Sequence, residues 1–196
     1  MVQTPVKTLP HLKWDVARYH EASRLGLLGN LKLELLDGDI ILVPPPDPFH
    51  EWLIRQIIKL LASELGDVVL VEKTCPVSLS ATSEPVPDIA VLKLQDHDYK
   101  HQHPQPSDIY LLIEIANSTP ERDTKVKRSL YAQAGITEYW VFDVSCQALK
   151  VYRNIQIHHG VTDYQVDADW SEDAIALCAF PHIKLDAQKL KGLMNQ

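Results

Sequence analysis

The run IYLLIEIA at residues 109–116 constrains this chain more than any other segment. Eight nearly continuous apolar residues are far too few to cross a bilayer, which takes about 20. Bounded by polar stretches, such a run reads as a strand buried inside a sheet. Within it stands Glu114, flanked by Leu111, Leu112, Ile113 and Ile115. A carboxylate there is costly to bury unless a cation, a hydrogen-bond donor or an open site compensates it. A bare scaffold gives no reason for a glutamate at this position.

The other elements are read around that strand. Residues 1–13 hold two prolines and little pattern, and are expected to form an N-terminal arm. Residues 14–196 are expected to form a single domain, consistent with a 196-residue chain. WDVARYHEASRL (14–25) has helical spacing, and Gly26 and Gly29 follow it. Leu31, Leu33 and Leu35 alternate with Lys32 and Glu34. Asp37-Gly38 then marks a hairpin whose return strand, residues 40–43, ends at Pro44-Pro45-Pro46. Leu53, Ile57, Leu60, Leu61 and Leu65 predict an amphipathic helix over 48–65. Strands are expected at 68–72, around Val77 and Leu79, at 88–92, at 136–144 and at 148–154. Residues 95–107 are polar and read as a surface loop, the place where disorder is most expected. Thr119-Pro120-Glu121 starts a helix that should end at Gly135. Asp186 is a candidate cap for a short terminal helix. The order argues for an α/β or α+β domain with a mixed sheet.

Asp88 opens an apolar strand just after Pro87, and Glu114 lies inside another. Two carboxylates on neighbouring strands offer oxygen ligands to a divalent ion such as Mg²⁺. Asp123-x-x-x-Lys127 places two charged residues on one helix face. A lysine facing the carboxylates could hold a water beside the ion. The plainer alternatives are that Asp88 caps a turn and that Asp123 and Lys127 form an exposed pair. Cys75, Cys146 and Cys178 are odd in number and far apart, which argues against a disulfide framework or zinc ribbon. His97, His101 and His103 read as solvated loop residues, and Trp140 as a core residue. Phosphate-loop, dinucleotide and serine-hydrolase motifs are absent. The net charge of −7, from 19 basic and 26 acidic residues, counts against a broad nucleic-acid footprint but allows a local basic strip. No apolar leader segment begins the chain, so a cytoplasmic protein without membrane attachment is expected.

PDIAVL followed by LLIEIANSTPERDTKVKRSLYAQAGITEYWVFD resembles the Uma family of restriction endonucleases, and LELLDGDIILVPPPDPFH resembles that family's opening hairpin and helix. The resemblance covers roughly residues 14–154. It implies a restriction-endonuclease-like core of the PD-(D/E)XK superfamily, a mixed central sheet flanked by helices. It also implies hydrolysis of phosphodiesters in nucleic acid with Mg²⁺ or Mn²⁺. Carried over, Asp88 and Glu114 are the two acids, Glu34 completes the metal site, and His50 matches a recurrent histidine. The superfamily places its lysine two residues after the second acid, where this chain has Ala116. Lys127 is the matching lysine on the following helix, with Lys125 as competitor.

The expected function is therefore a metal-dependent endonuclease on duplex DNA, acting as a homodimer. Asp88, Glu114 and Glu34 would hold the ion, Lys127 would serve the water, and Lys125, Arg122 and Arg128 would hold the backbone. The alternative is a catalytically inactive module of the same fold that binds nucleic acid or protein.

Overall fold

The computed structural model describes residues 11–117, 120–167 and 170–195. The first ten residues of the predicted arm, and the predicted cap residue Thr119, lie outside them.

Helix α1 (Val16–Arg24) starts at Asp15, whose side chain accepts from the Arg18 N–H. Strands β1 (Leu33–Leu36) and β2 (Asp39–Leu42) form the expected hairpin. Its two turn residues, Asp37 and Gly38, both have positive φ, as a tight type I′ turn requires. This hairpin is a separate two-stranded sheet. It is tied to the segment before Asp88 by reciprocal bonds between Leu35 and Glu84.

Helix α2 (Pro48–Leu65) is capped by Asp47, with Pro48 in its first turn, where a missing N–H costs nothing. Its buried stripe of Leu53, Ile54, Ile57, Leu60, Leu61 and Leu65 covers one face of the main sheet. That sheet has the order β3 (Val69–Lys73), β4 (Ile89–Lys93), β5 (Ile109–Ala116), β6 (Tyr139–Asp143), β7 (Ala148–His158) and β8 (Val161–Asp167). Neighbours are antiparallel except β5 and β6, which run parallel. A parallel pair needs a crossover, and the chain supplies it as a wide π-helical turn over Arg122–Lys127 that continues into α3 (Arg128–Gln133).

Strand alternation divides the core. Leu111, Ile113 and Ile115 face α2, whereas Leu112 and Ala116 face the crossover with Tyr131 and Tyr139. Glu114 shares the parity of the second set, so it points toward the crossover helix. The tail contributes the two-stranded pair β9 (Ala174–Ile175) and β10 (Leu185–Asp186), then α4 (Ala187–Gly192), capped by Asp186 as expected. Buried Glu138 anchors this tail by accepting from the Cys178 N–H, the Trp140 indole and Arg153. Trp140 is fully buried, as predicted.

The mixed α/β fold agrees with expectation, with one correction. The run around Val77 and Leu79 forms no regular strand. Pro76, Pro85 and Pro87 remove ladder donors on both sides, so only scattered bonds remain, such as Val77 N–H to Pro85 O at 3.0 Å. Among the described residues no helix is long and apolar enough to cross a membrane.

Candidate functional site

Register brings the two predicted acids together. The β4–β5 ladder pairs Ile89 with Ile113 and Ala90 with Leu112. One further step along it sets Asp88 across from Glu114. Asp88 Oδ2 accepts from the Ile115 N–H at 2.8 Å and lies 3.2 Å from His50 Nε2. Its Oδ1 accepts no bond among the described residues. Asp88 therefore does more than cap a turn: it crosses from one strand to the next.

Lys127 is 2% exposed and stands between two glutamates. Its Nζ lies 2.8 Å from Glu114 Oε1 and 3.0 Å from Glu34 Oε2. A longer contact, 3.5 Å, reaches Val86 O. Glu34 Oε2 also accepts from the Val86 N–H, so β1, the 84–88 segment, β5 and the crossover all meet at one ammonium. Lys125, the competing lysine, is exposed. Tyr131, one turn beyond Lys127, donates to Glu114 Oε1 at 2.9 Å. Sequence reasoning missed Tyr131, although the spacing 123, 127, 131 places all three residues on one helix face.

Asp123, placed by spacing on the same helix face as Lys127, is no more part of an exposed pair than Lys127 is. It is buried, borders the same cleft as Asp88, and lies 3.4 Å from the Arg122 guanidinium. Arg122 Nε is also 3.8 Å from Glu34 Oε1, an oxygen buried without a hydrogen-bond partner among the described residues. The cleft, of about 390 Å³, is bordered by Asp88, His50, Glu51, Arg122 and Asp123, together with Pro44, Pro45 and Pro46. Arg128, expected to grip a phosphate, is occupied: it makes a two-pronged pair with Asp163 at 2.7 and 2.8 Å and covers the Tyr152 ring.

The electrostatics show an excess of acid. Burial pushes the Glu114 carboxyl well up, the Lys127 ammonium opposes it, and Asp88, Asp123 and Glu34 add to the rise. Asp123 is raised for the same reason, burial, against the pull of Lys127 and Arg122. Lys127 is held as an ammonium, because Glu114, Glu34 and Asp123 outweigh its burial. Burial would lower His50, but its bond to Asp88 and the nearby acids raise it instead. Four carboxylates thus share two permanent cations. An oxygen-rich, under-neutralised set of this kind, with Asp88 Oδ1 and Glu34 Oε1 accepting no hydrogen bond among the described residues, fits a hard divalent cation. The two glutamates are held apart by the ammonium, and Asp88, Glu114 and Glu34 do not by themselves gather three ligand atoms within 4.8 Å.

A second group does so. His20, Glu84 and His103 bring one ligand atom each within 4.8 Å of one another, a cluster able to coordinate a metal ion. His103 is half-buried in this group, whereas His97 and His101 are exposed. Its partners lie 19 and 83 residues away, beyond what local spacing could reveal.

The family described as "Uma2: Putative restriction endonuclease" matches residues 19–177. Among solved structures, a nuclease described as putative and belonging to DUF820, from Anabaena variabilis, superposes with a TM-score of 0.62 at 18% identity. The match covers 83% of this chain and 90% of that one. At that identity the likeness establishes the fold, which is restriction-endonuclease-like. No curated protein matches this chain.

Proposed function

The chain belongs to the Uma2 family, within the PD-(D/E)XK-like nucleases, and on that premise we propose that it is a divalent-metal-dependent endonuclease hydrolysing phosphodiesters in duplex DNA. The observation that carries the reading is the buried Lys127 ammonium bound to both Glu114 and Glu34, one ladder step from Asp88. The chain thereby assembles two acids and a lysine although residue 116 is alanine.

Asp88 and Glu114 would hold Mg²⁺ or Mn²⁺, with Glu34 joining directly or through water. Such an ion lowers the pKa of a bound water and takes up charge on the phosphate. His50 and the Ile115 N–H fix the Asp88 carboxylate through Oδ2. Tyr131 and Lys127 hold Glu114 from the other side. The contact of Lys127 with Val86 O is its longest, so it is the donor most cheaply redirected to an attacking water. Arg122 at the cleft and the exposed Lys125 are the cations for the DNA backbone. A two-fold dimer would match a palindromic duplex.

A second reading has its own support. Lys127 already has three acceptors and almost no exposure, as expected of a clamp in a non-catalytic module that binds nucleic acid or protein.

The test is nicking of supercoiled plasmid with Mg²⁺ or Mn²⁺, comparing the native chain with Glu114→Ala and Asp88→Ala. The endonuclease reading expects a loss of about 10²-fold or more in each variant. Equal nicking by all three proteins, or none by the native chain, removes it. Calorimetric titration with Mn²⁺ then separates a metal-loaded site from the module.

A further inference from the structure

We propose that His20, Glu84 and His103 form a second metal site, for a borderline ion of the Zn²⁺ class, which fastens α1 and the 95–107 loop to the segment leading into Asp88. Two imidazoles and one carboxylate suit Zn²⁺ far better than Mg²⁺, which favours oxygen and keeps its waters. The donors come from three distant stretches of chain: α1, the segment before β4, and the loop after it.

Two features separate this group from a plain ion pair. First, the His20–Glu84 contact, 2.6 Å from Nε2 to Oε1, needs no third member, yet His103 packs edge-on against His20 with ring centroids 6.0 Å apart. Second, Glu84 is aimed. It is 4% exposed, and its other oxygen accepts from Ser78 Oγ at 2.9 Å. An outer hydrogen bond that orients a ligand carboxylate is typical of built metal sites. The loop is seated too, because Pro104 O accepts from the Ser78 N–H at 2.9 Å.

Ligand atoms around a four-coordinate ion at about 2.0–2.1 Å stand roughly 3.3 Å apart. The His20–Glu84 pair therefore has to open by less than about 1 Å to admit the ion. His20 is half exposed, which leaves water access to a fourth position. From Glu84 the chain passes directly to Val86, whose N–H and C=O hold Glu34 and Lys127, and then to Asp88. An ion at Glu84 thus braces the strap on which the candidate catalytic acids hang, without touching the cleft.

The test is calorimetric titration of the full chain with Zn²⁺, repeated with Co²⁺ while its visible d–d absorption is followed. With excess Mg²⁺ present to fill the oxygen-rich cleft at Asp88, one Zn²⁺ equivalent should bind, with a Co²⁺ spectrum of low coordination number. His103→Ala and His20→Ala should each weaken Zn²⁺ affinity by at least about tenfold. Asp88→Asn and the double variant His97→Ala/His101→Ala should leave it within twofold. Both ligand variants alter side chains with solvent access, so their folding is checked by far-UV circular dichroism. The proposal is overturned if the native chain takes up no Zn²⁺ equivalent. Undiminished binding by His103→Ala, or loss of binding in the Asp88 or His97/His101 variants, overturns it equally.

Discussion

Replacing Lys127 with methionine keeps the length of the side chain but removes the charge that Glu34 and Glu114 share. Both glutamates are essentially unexposed, so water cannot replace the ammonium. Breaking a buried ion pair from one side costs about 3–5 kcal/mol. The acids have one escape, to take up a proton. Protonating a glutamate whose unfolded pKa is about 4.3 costs about 1.4 kcal/mol for each pH unit above it, hence about 3.7 kcal/mol at pH 7 and about 1 kcal/mol at pH 5. The sign follows from linkage: the folded variant binds one more proton than the native fold, so its deficit grows as pH rises. Urea unfolding in a chelating buffer at both pH values measures this. The expected loss is about 3–4 kcal/mol at pH 7, equivalent to roughly 7–15 °C in Tm for a chain of this size, shrinking to about 1 kcal/mol at pH 5. The triple variant Lys127→Met/Glu34→Gln/Glu114→Gln should recover most of the loss, because no buried anion is left. A deficit below about 1 kcal/mol at pH 7, or one independent of pH, would refute the picture of a buried ammonium shared between the two glutamates.

Two further outcomes follow from other parts of the fold. Burial alone would raise Asp143, but hydrogen bonds from Lys150, Ser145 and Cys146 depress it to about 2. A depressed carboxylate contributes stability above its unfolded pKa and loses it as pH falls through the folded one. Native-minus-Asp143→Asn stability should therefore be at most about 2 kcal/mol at pH 6 and vanish between about pH 4 and 2; a flat difference down to pH 2 contradicts the Lys150 pairing. Gly38 has φ +78°, and an added Cβ would meet Lys13 Cβ at 2.9 Å and Trp14 O at 3.0 Å. Gly38→Ala should cost roughly 1–3 kcal/mol by thermal unfolding, and a neutral effect would mean that the hairpin does not pack on the chain before α1.

Much of this arrangement was legible in the residues. Glu114 declared itself, because an apolar strand offers a carboxylate no other excuse, and the ladder then sets Asp88 opposite it. The type I′ hairpin followed from Asp37-Gly38, and the terminal helix from Asp186. What escaped reading depended on contacts between distant segments. Choosing between Lys127 and Lys125 required the phase of the crossover helix, which a π-helical turn resets by bonding the Arg128 N–H to Asp123 O. Arg128 looked available for phosphate because Asp163, 35 residues on, is invisible to local spacing. His103 looked solvated for the same reason. The Val77 run was misread as a strand because its apolar residues alternate correctly, whereas the surrounding prolines decide the hydrogen bonding.

The buried ammonium has a consequence in time as well as in space. Its partners stand at positions 34, 86 and 114, so the cluster cannot exist until a stretch of more than 90 residues has closed on itself. A chain still being synthesised, or one partly unfolded, holds two unneutralised glutamates and no assembled site. Assembly of this centre therefore waits on the crossover helix, and no piece of the chain that ends before it brings these members together.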